Sequence, residues 1–164
     1  MFCPLLKFPA QISKSIFFLG AVGLLLALAS FVLGQRRVGA QTEDTPAFHE
    51  YRGIQLGMTT EEVRKKLGDP RDKGDDQDFF VFKETETAQI LYDKAHKVIT
   101  ISADYLSNAN AVPTARQVFG ADIQAKADGS MYKMVRYPKA GYWLSYNRTA
   151  GSSPLTTVTL QKIE

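Results

Sequence analysis

Cysteine is all but missing from this chain. Of 164 residues only Cys3 carries a thiol. It precedes the long apolar run, so neither a disulfide framework nor a cysteine metal site can form within one chain. A bacterial lipoprotein signal places its cysteine just after the apolar run, and none stands there, which argues against a lipid anchor of the usual kind. Histidine is nearly as scarce, with only His49 and His96. A zinc site takes three or four ligands, and neither His-x-x-x-His nor Cys-x-x-Cys spacing occurs. There is no Gly-x-Ser-x-Gly elbow for a serine nucleophile, and no glycine-rich phosphate loop or dinucleotide fingerprint. No motif for enzymatic chemistry remains, and neither cofactor nor metal is expected. His49, in a lead-in, and His96, among lysines in a turn, read as solvated side chains.

Acidic residues are missing from the first forty positions. The formal charge of +3 comes from Lys7, Lys14, Arg36 and Arg37; residues 41–164 hold all 17 acidic and 16 of the 20 basic residues, a balance of −1. The basic excess is therefore not a footprint for nucleic acid. About 120 residues remain for one small domain, enough for a single core.

The N-terminal forty residues are apolar and basic. Residues 16–34 form one uninterrupted apolar run. At about 1.5 Å per residue it reaches about 28 Å, close to a hydrocarbon core of roughly 30 Å. That length suits a transmembrane anchor. Val38-Gly39-Ala40 before Gln41 suits cleavage of a signal peptide. Both readings stand, and both place the remainder on the exported side of the membrane, in the cell envelope. Residues 41–52 read as a polar linker, followed by an exported domain over 53–164.

That domain is organised around Gly57-Met58-Thr59-Thr60-Glu61-Glu62-Val63-Arg64-Lys65-Lys66-Leu67-Gly68-Asp69-Pro70. The spacing predicts a helix over about 59–67. Thr59 is its N-cap, and Glu62 completes a capping box. Glu61 and Glu62 sit at the positive end of the dipole, Lys65 and Lys66 near the negative end. Val63 and Leu67 share a core-facing side. Gly68 suits a left-handed cap, and Pro70 forbids continuation. Asp69, Asp72, Asp75, Asp76 and Asp78 follow without the spacing of a calcium loop, and read as a solvated acidic loop. Three strands come next, at Phe79–Phe82, Ala88–Asp93 and Val98–Ala103, joined by polar turns into an antiparallel meander.

This plan recurs at an offset of 52 residues. Val63–Gly68 lies over Ala115–Gly120, Phe79–Phe82 over Met131–Met134, and Ala88–Asp93 over Ala140–Ser145, with Leu155–Gln161 as the last strand. Pro113 suits the first position of the second helix. The expected fold is α+β: two tandem α-βββ units, 53–106 and 107–164, sharing one antiparallel sheet of about six strands with short helices packed on one face.

The run Ile54–Val63 with Leu67-Gly68-Asp69-Pro70, then Ile90–Asp93 and Lys97–Ile101, resembles the SmpA/OmlA domain of outer-membrane assembly proteins. The tandem arrangement is similar to the β-lactamase-inhibitor-protein fold. The likeness covers about 53–103 by motif and 112–163 by fold. It implies a non-enzymatic, protein-binding role in the cell envelope. Two departures, the missing lipoprotein cysteine and the second unit, count against a role in the barrel-assembly machine itself.

Aromatic residues are the functional lead. Tyr132, Tyr137, Tyr142, Trp143 and Tyr146 crowd the second unit. Alternation puts Tyr142, Leu144 and Tyr146 on one face and Trp143 with Ser145 on the other. On an uncovered sheet face such rings would make a rigid protein-binding surface; on the other face they would fill the core. Tyr132, Tyr142 and Tyr146 are the candidate surface, and Trp143, which aligns with Leu91, is expected in the core. The functional expectation is a protein-interaction module whose partner is an envelope or membrane protein, with the membrane itself contacted through 16–34 if that run is retained. The alternative is an envelope enzyme or small-ligand-binding protein with a pocket between the repeats.

Overall fold

The computed structural model describes residues 46–163. The expectations about the apolar run 16–34, cleavage after Ala40 and the start of the linker lie outside the described residues. Among those described, no helix is long and apolar enough to cross a membrane.

The first helix, α1, is Thr60–Leu67. Its start follows from local chemistry. The Thr59 hydroxyl accepts the Glu62 N–H at 3.3 Å, and the Glu62 carboxylate accepts the Thr59 N–H at 2.8 Å. Two otherwise orphaned donors are thereby satisfied. Thr59→Ala removes one of them and is expected to lower unfolding free energy by about 1 kcal/mol in a urea titration, with Thr59→Ser close to wild type. At the other end Gly68 has φ 86° but ψ −165°. This is not the left-handed cap expected but a more extended conformation open essentially to glycine. The second helix, α2, spans only Ala115–Phe119, with Thr114 and Gln117 forming the same capping box and Gly120 in the left-handed region. Pro113 therefore precedes the cap rather than opening the helix, because the Thr114 hydroxyl takes the capping role.

The strands are β1 (Asp72–Lys73), β2 (Gln77–Lys83), β3 (Glu86–Tyr92), β4 (Val98–Leu106), β5 (Met131–Tyr137), β6 (Tyr142–Arg148) and β7 (Leu155–Lys162). They form one antiparallel sheet in the order β1-β2-β3-β4-β7-β6-β5. Six strands were expected. The seventh, β1, arises because the acidic loop doubles back along β2: the Arg71 N–H reaches the Phe79 carbonyl at 2.8 Å, and Asp72 lies in register with Phe79. The offset of 52 also does not hold through the strands. Gly68 to Gly120 keeps it, but Ala140 and Gly141 belong to the β5–β6 turn, and β6 starts only at Tyr142.

One face of the sheet carries Phe80, Ala88, Ile90, Ile101, Ala103, Leu144, Tyr146, Val158 and Leu160, all buried. Val63 of α1 and Val118 of α2, both fully buried, pack onto this face in two adjoining clusters. Phe48 and Leu56 touch both clusters. Tyr51 is buried too, and closes a tight turn with Ile54 through paired backbone hydrogen bonds of 2.9 and 2.8 Å. The segment from Phe48 to Arg52, expected as the end of a linker, is thus part of the fold; its two aromatic side chains are the reason.

Candidate functional site

The face of the sheet opposite the helices follows from register. Across β5, β6, β7, β4, β3 and β2, one row runs Met134, Ser145, Thr159, Ser102, Gln89, Phe79. The row on one side runs Arg136, Trp143, Gln161, Thr100, Leu91, Gln77. The row on the other side runs Tyr132, Asn147, Thr157, Asp104, Thr87, Val81. Side chains in such rows stand on the same side of the pleat.

The centre of this face is polar and internally bonded. Ser102 Oγ and Thr159 Oγ1 lie 3.0 Å apart, and Thr157 Oγ1 donates to Asp104 Oδ1 at 2.6 Å. Toward the β2 side, Gln89 Nε2 donates to Gln77 Oε1 at 2.8 Å. The flanks carry large apolar side chains among polar ones. Tyr132, Met134 and Trp143 stand on β5 and β6; Phe79, Val81 and Leu91 stand on β2 and β3. Large apolar side chains that are exposed among the described residues number four, Val81, Leu106, Tyr132 and Met134. All four sit on this face, Leu106 opposite Leu155 at the end of β4. Tyr132 is 58% exposed and Met134 47%. One scattered exposed apolar residue is ordinary; a set confined to one face of a sheet is not.

The three expected surface tyrosines separate here. Tyr132 is on the uncovered face and open to solvent. Tyr142 and Tyr146 are on the helix-covered face, 7% and 3% exposed, within the core beside Leu144. The Tyr142 hydroxyl donates to the Phe48 carbonyl at 3.3 Å, and burial, with Tyr137 close by, pushes its phenol up to about 12. Both are corrections to the expected surface. Trp143, expected in the core, lies half-buried on the uncovered face. Leu91, with which it was aligned, stands on that face as well, although the two occupy different positions along their strands. The physical reason is the parity of β6: Leu144 takes its two tyrosine neighbours inward, and Ser145 and Asn147 mark the outward side.

Two ionic clusters brace the opposite half of the sheet. Asp78 is fully buried. It accepts Arg64 Nε and Nη2, each at 2.8 Å, the Tyr92 hydroxyl at 2.8 Å and the Gly74 N–H at 3.3 Å, while Arg64 Nη2 also reaches the Gly74 carbonyl at 2.8 Å. Asp78 is therefore not part of a solvated acidic loop. Glu86 accepts Tyr51 Oη at 3.0 Å and Arg52 Nε and Nη2 at 3.0 and 2.8 Å. The Arg52 guanidinium lies 4.2 Å from the centre of the Phe82 ring. Arg52 has φ 49° and Gly53 φ 77°, the backbone of a type I′ turn, so the fork onto Glu86 holds a non-glycine residue in the left-handed region.

His49 and His96 are exposed. Among the described residues no group of three histidine, cysteine or acidic side chains is placed to hold a metal ion. The uncovered face offers rings, a thioether, hydroxyls and amides, groups that make contacts with a macromolecular surface. Compared with protein-family models, with curated proteins and with solved structures, the chain matches none.

Proposed function

We propose that the domain is a non-enzymatic protein-interaction module of the cell envelope, and that its contact surface is the uncovered face of the sheet. The confinement of Val81, Leu106, Tyr132 and Met134 to that face carries this reading. Aromatic residues and methionine are enriched at interfaces, and rigid rings lose little entropy on docking. Trp143 beside them supplies a further large anchor. The export part of the proposal rests on the apolar run 16–34 preceding the domain.

The finer fold reading belongs to the same proposal. We read the domain as two α-βββ units of the SmpA/OmlA kind set side by side. Its support is that each half has a short helix with a threonine-led capping box, then a glycine, then a three-stranded meander. The last strands of the two halves, β4 and β7, are joined to each other.

The test is a photo-crosslinking amino acid placed in the full-length chain in cells, at Tyr132 and, in parallel, at Lys65 on the exposed side of α1. One defined envelope protein crosslinked from position 132 and not from 65 is the expected result. Equal labelling from both positions, or none from 132 at normal expression, rejects the uncovered face as the contact surface.

A further inference from the structure

A pocket of about 470 Å³ opens on the helix-covered side, between the β4–α2 connection, the segment after α2 and the ends of β6 and β7. Its volume falls in the range of small-molecule sites. Val112, Ile123 and Met131 form part of an apolar wall.

Two of the hydroxyls lining it are not used by the fold. Tyr146 is 3% exposed and Thr156 1%. Neither hydroxyl makes a hydrogen bond among the described residues, and since no fully buried polar atom there lacks a partner, both open onto solvent-accessible space. Both side chains line the pocket. A hydroxyl that opens into a pocket without a protein partner is free to bond what enters the cavity. Arg148 lines the same space. Its guanidinium has no carboxylate within ion-pair distance among the described residues, and its hydrogen bond to the Gly129 carbonyl is long, at 3.5 Å. Asp122 is also in the lining, but Arg116 holds it in an ion pair.

We propose that this pocket binds a small monocarboxylic acid with an apolar body, the carboxylate meeting Arg148 and the Tyr146 and Thr156 hydroxyls. A single uncompensated cation matches one negative charge. The Asp122 carboxylate on the rim disfavours a dianion such as phosphate. A guanidinium fork with two added O–H donors saturates a carboxylate, and the apolar wall accommodates the rest of the molecule. The site lies on the opposite side of the sheet from the proposed protein contact, so it does not depend on that reading.

The test uses the full-length protein and ligand-observed NMR titration with phenylacetate, against neutral phenylacetamide of the same shape. Phenylacetate is expected to bind saturably in the millimolar range, as suits so small a probe, and phenylacetamide about tenfold more weakly or worse. Arg148→Gln abolishes the preference for the acid, and Thr156→Val weakens acid binding while leaving the melting transition near that of wild type. Tyr146→Phe, which keeps the ring in the core, serves as the second conservative variant. A peptide ending in a free phenylalanine carboxylate, titrated alongside, separates the two sources of this chemistry: tighter binding than phenylacetate assigns the pocket to chain ends, weaker binding to free acids. Equal binding of acid and amide, no saturation by either, or acid binding unaltered by Arg148→Gln overturns the proposal.

Discussion

Replacing Asp78 by alanine is expected to lower the unfolding free energy by about 3–5 kcal/mol, the usual result of leaving one member of a buried ion pair without its partner. Total stability in domains of this size is about 5–15 kcal/mol, so the variant stands close to unfolding, and a urea titration reads the loss directly. The magnitude follows from what Asp78 joins. It takes the fork of Arg64 from α1, the Tyr92 hydroxyl from β3 and the Gly74 N–H from the loop before β2. Alanine leaves the Arg64 guanidinium half-buried with only the Gly74 carbonyl, and the Tyr92 hydroxyl without its acceptor. If the cost is mainly the orphaned cation, the double variant Asp78→Leu with Arg64→Met recovers most of the loss, because an apolar pair of similar volume avoids desolvating two charges. If the double variant is as weak as Asp78→Ala, shape rather than charge dominates the site. Acid gives an independent measure. Burial alone raises the Asp78 carboxyl, but the hydrogen bonds from Arg64 and Tyr92 outweigh it and hold the group below the ordinary carboxylate value. A depressed folded-state pKa contributes stability that is complete above the unfolded value of about 4 and is lost as pH falls below it through the folded value. The wild-type protein therefore weakens progressively below about pH 4, and Asp78→Ala shows a flatter acid limb.

That same cluster shows where the amino-acid sequence stops being legible. The α1 helix could be read almost residue by residue, since capping box, dipole charges and apolar spacing all lie within one short stretch and act locally. The strands were legible from their β-branched and aromatic residues, though β5 and β6 extend three residues further than their aromatic cores suggest. Asp78 was not legible. It is one of five aspartates within ten positions, and what makes it different is Arg64, which local spacing cannot bring near it. Only the packing of α1 on the sheet does that. The candidate surface failed in a different way. Period-two alternation correctly sorted β6 into Tyr142, Leu144, Tyr146 against Trp143 and Ser145. It carries no label for which set faces the helices. The label was present in the other members of each set: a leucine between two tyrosines faces a core, and a serine and an asparagine after a tryptophan face solvent. Weighing whole faces rather than single aromatic residues would have exchanged Trp143 for Tyr142 and Tyr146.

The double variant Tyr142→Ala, Tyr146→Ala is accordingly expected to unfold the domain, while Tyr132→Ala, Met134→Ala leaves it folded. Tyr142 and Tyr146 stand two apart on the covered side of β6, both flanking Leu144, and Tyr146 pairs across to Val158. Truncating one large buried ring costs about 3–5 kcal/mol through lost burial and the cavity left behind. Neighbouring sites couple, so the two losses do not simply add, but together they reach the total stability of a small domain. Tyr132 and Met134 are about half exposed on an edge strand, where truncation changes stability by roughly 0.5 kcal/mol or less. Thermal and urea unfolding followed by circular dichroism separates the pairs at once. The binding consequence is inverted. Loss of two anchor side chains from an interface commonly costs 2 kcal/mol or more, roughly thirtyfold in affinity. If the proposed contact surface is right, the Tyr132, Met134 variant loses the proposed partner with its melting transition intact. Loss of partner recovery in the Tyr142, Tyr146 variant reports only unfolding. The opposite pattern, a stable Tyr142, Tyr146 variant that fails to bind beside a Tyr132, Met134 variant that binds normally, would place the contact on the helix side and sink the proposed surface.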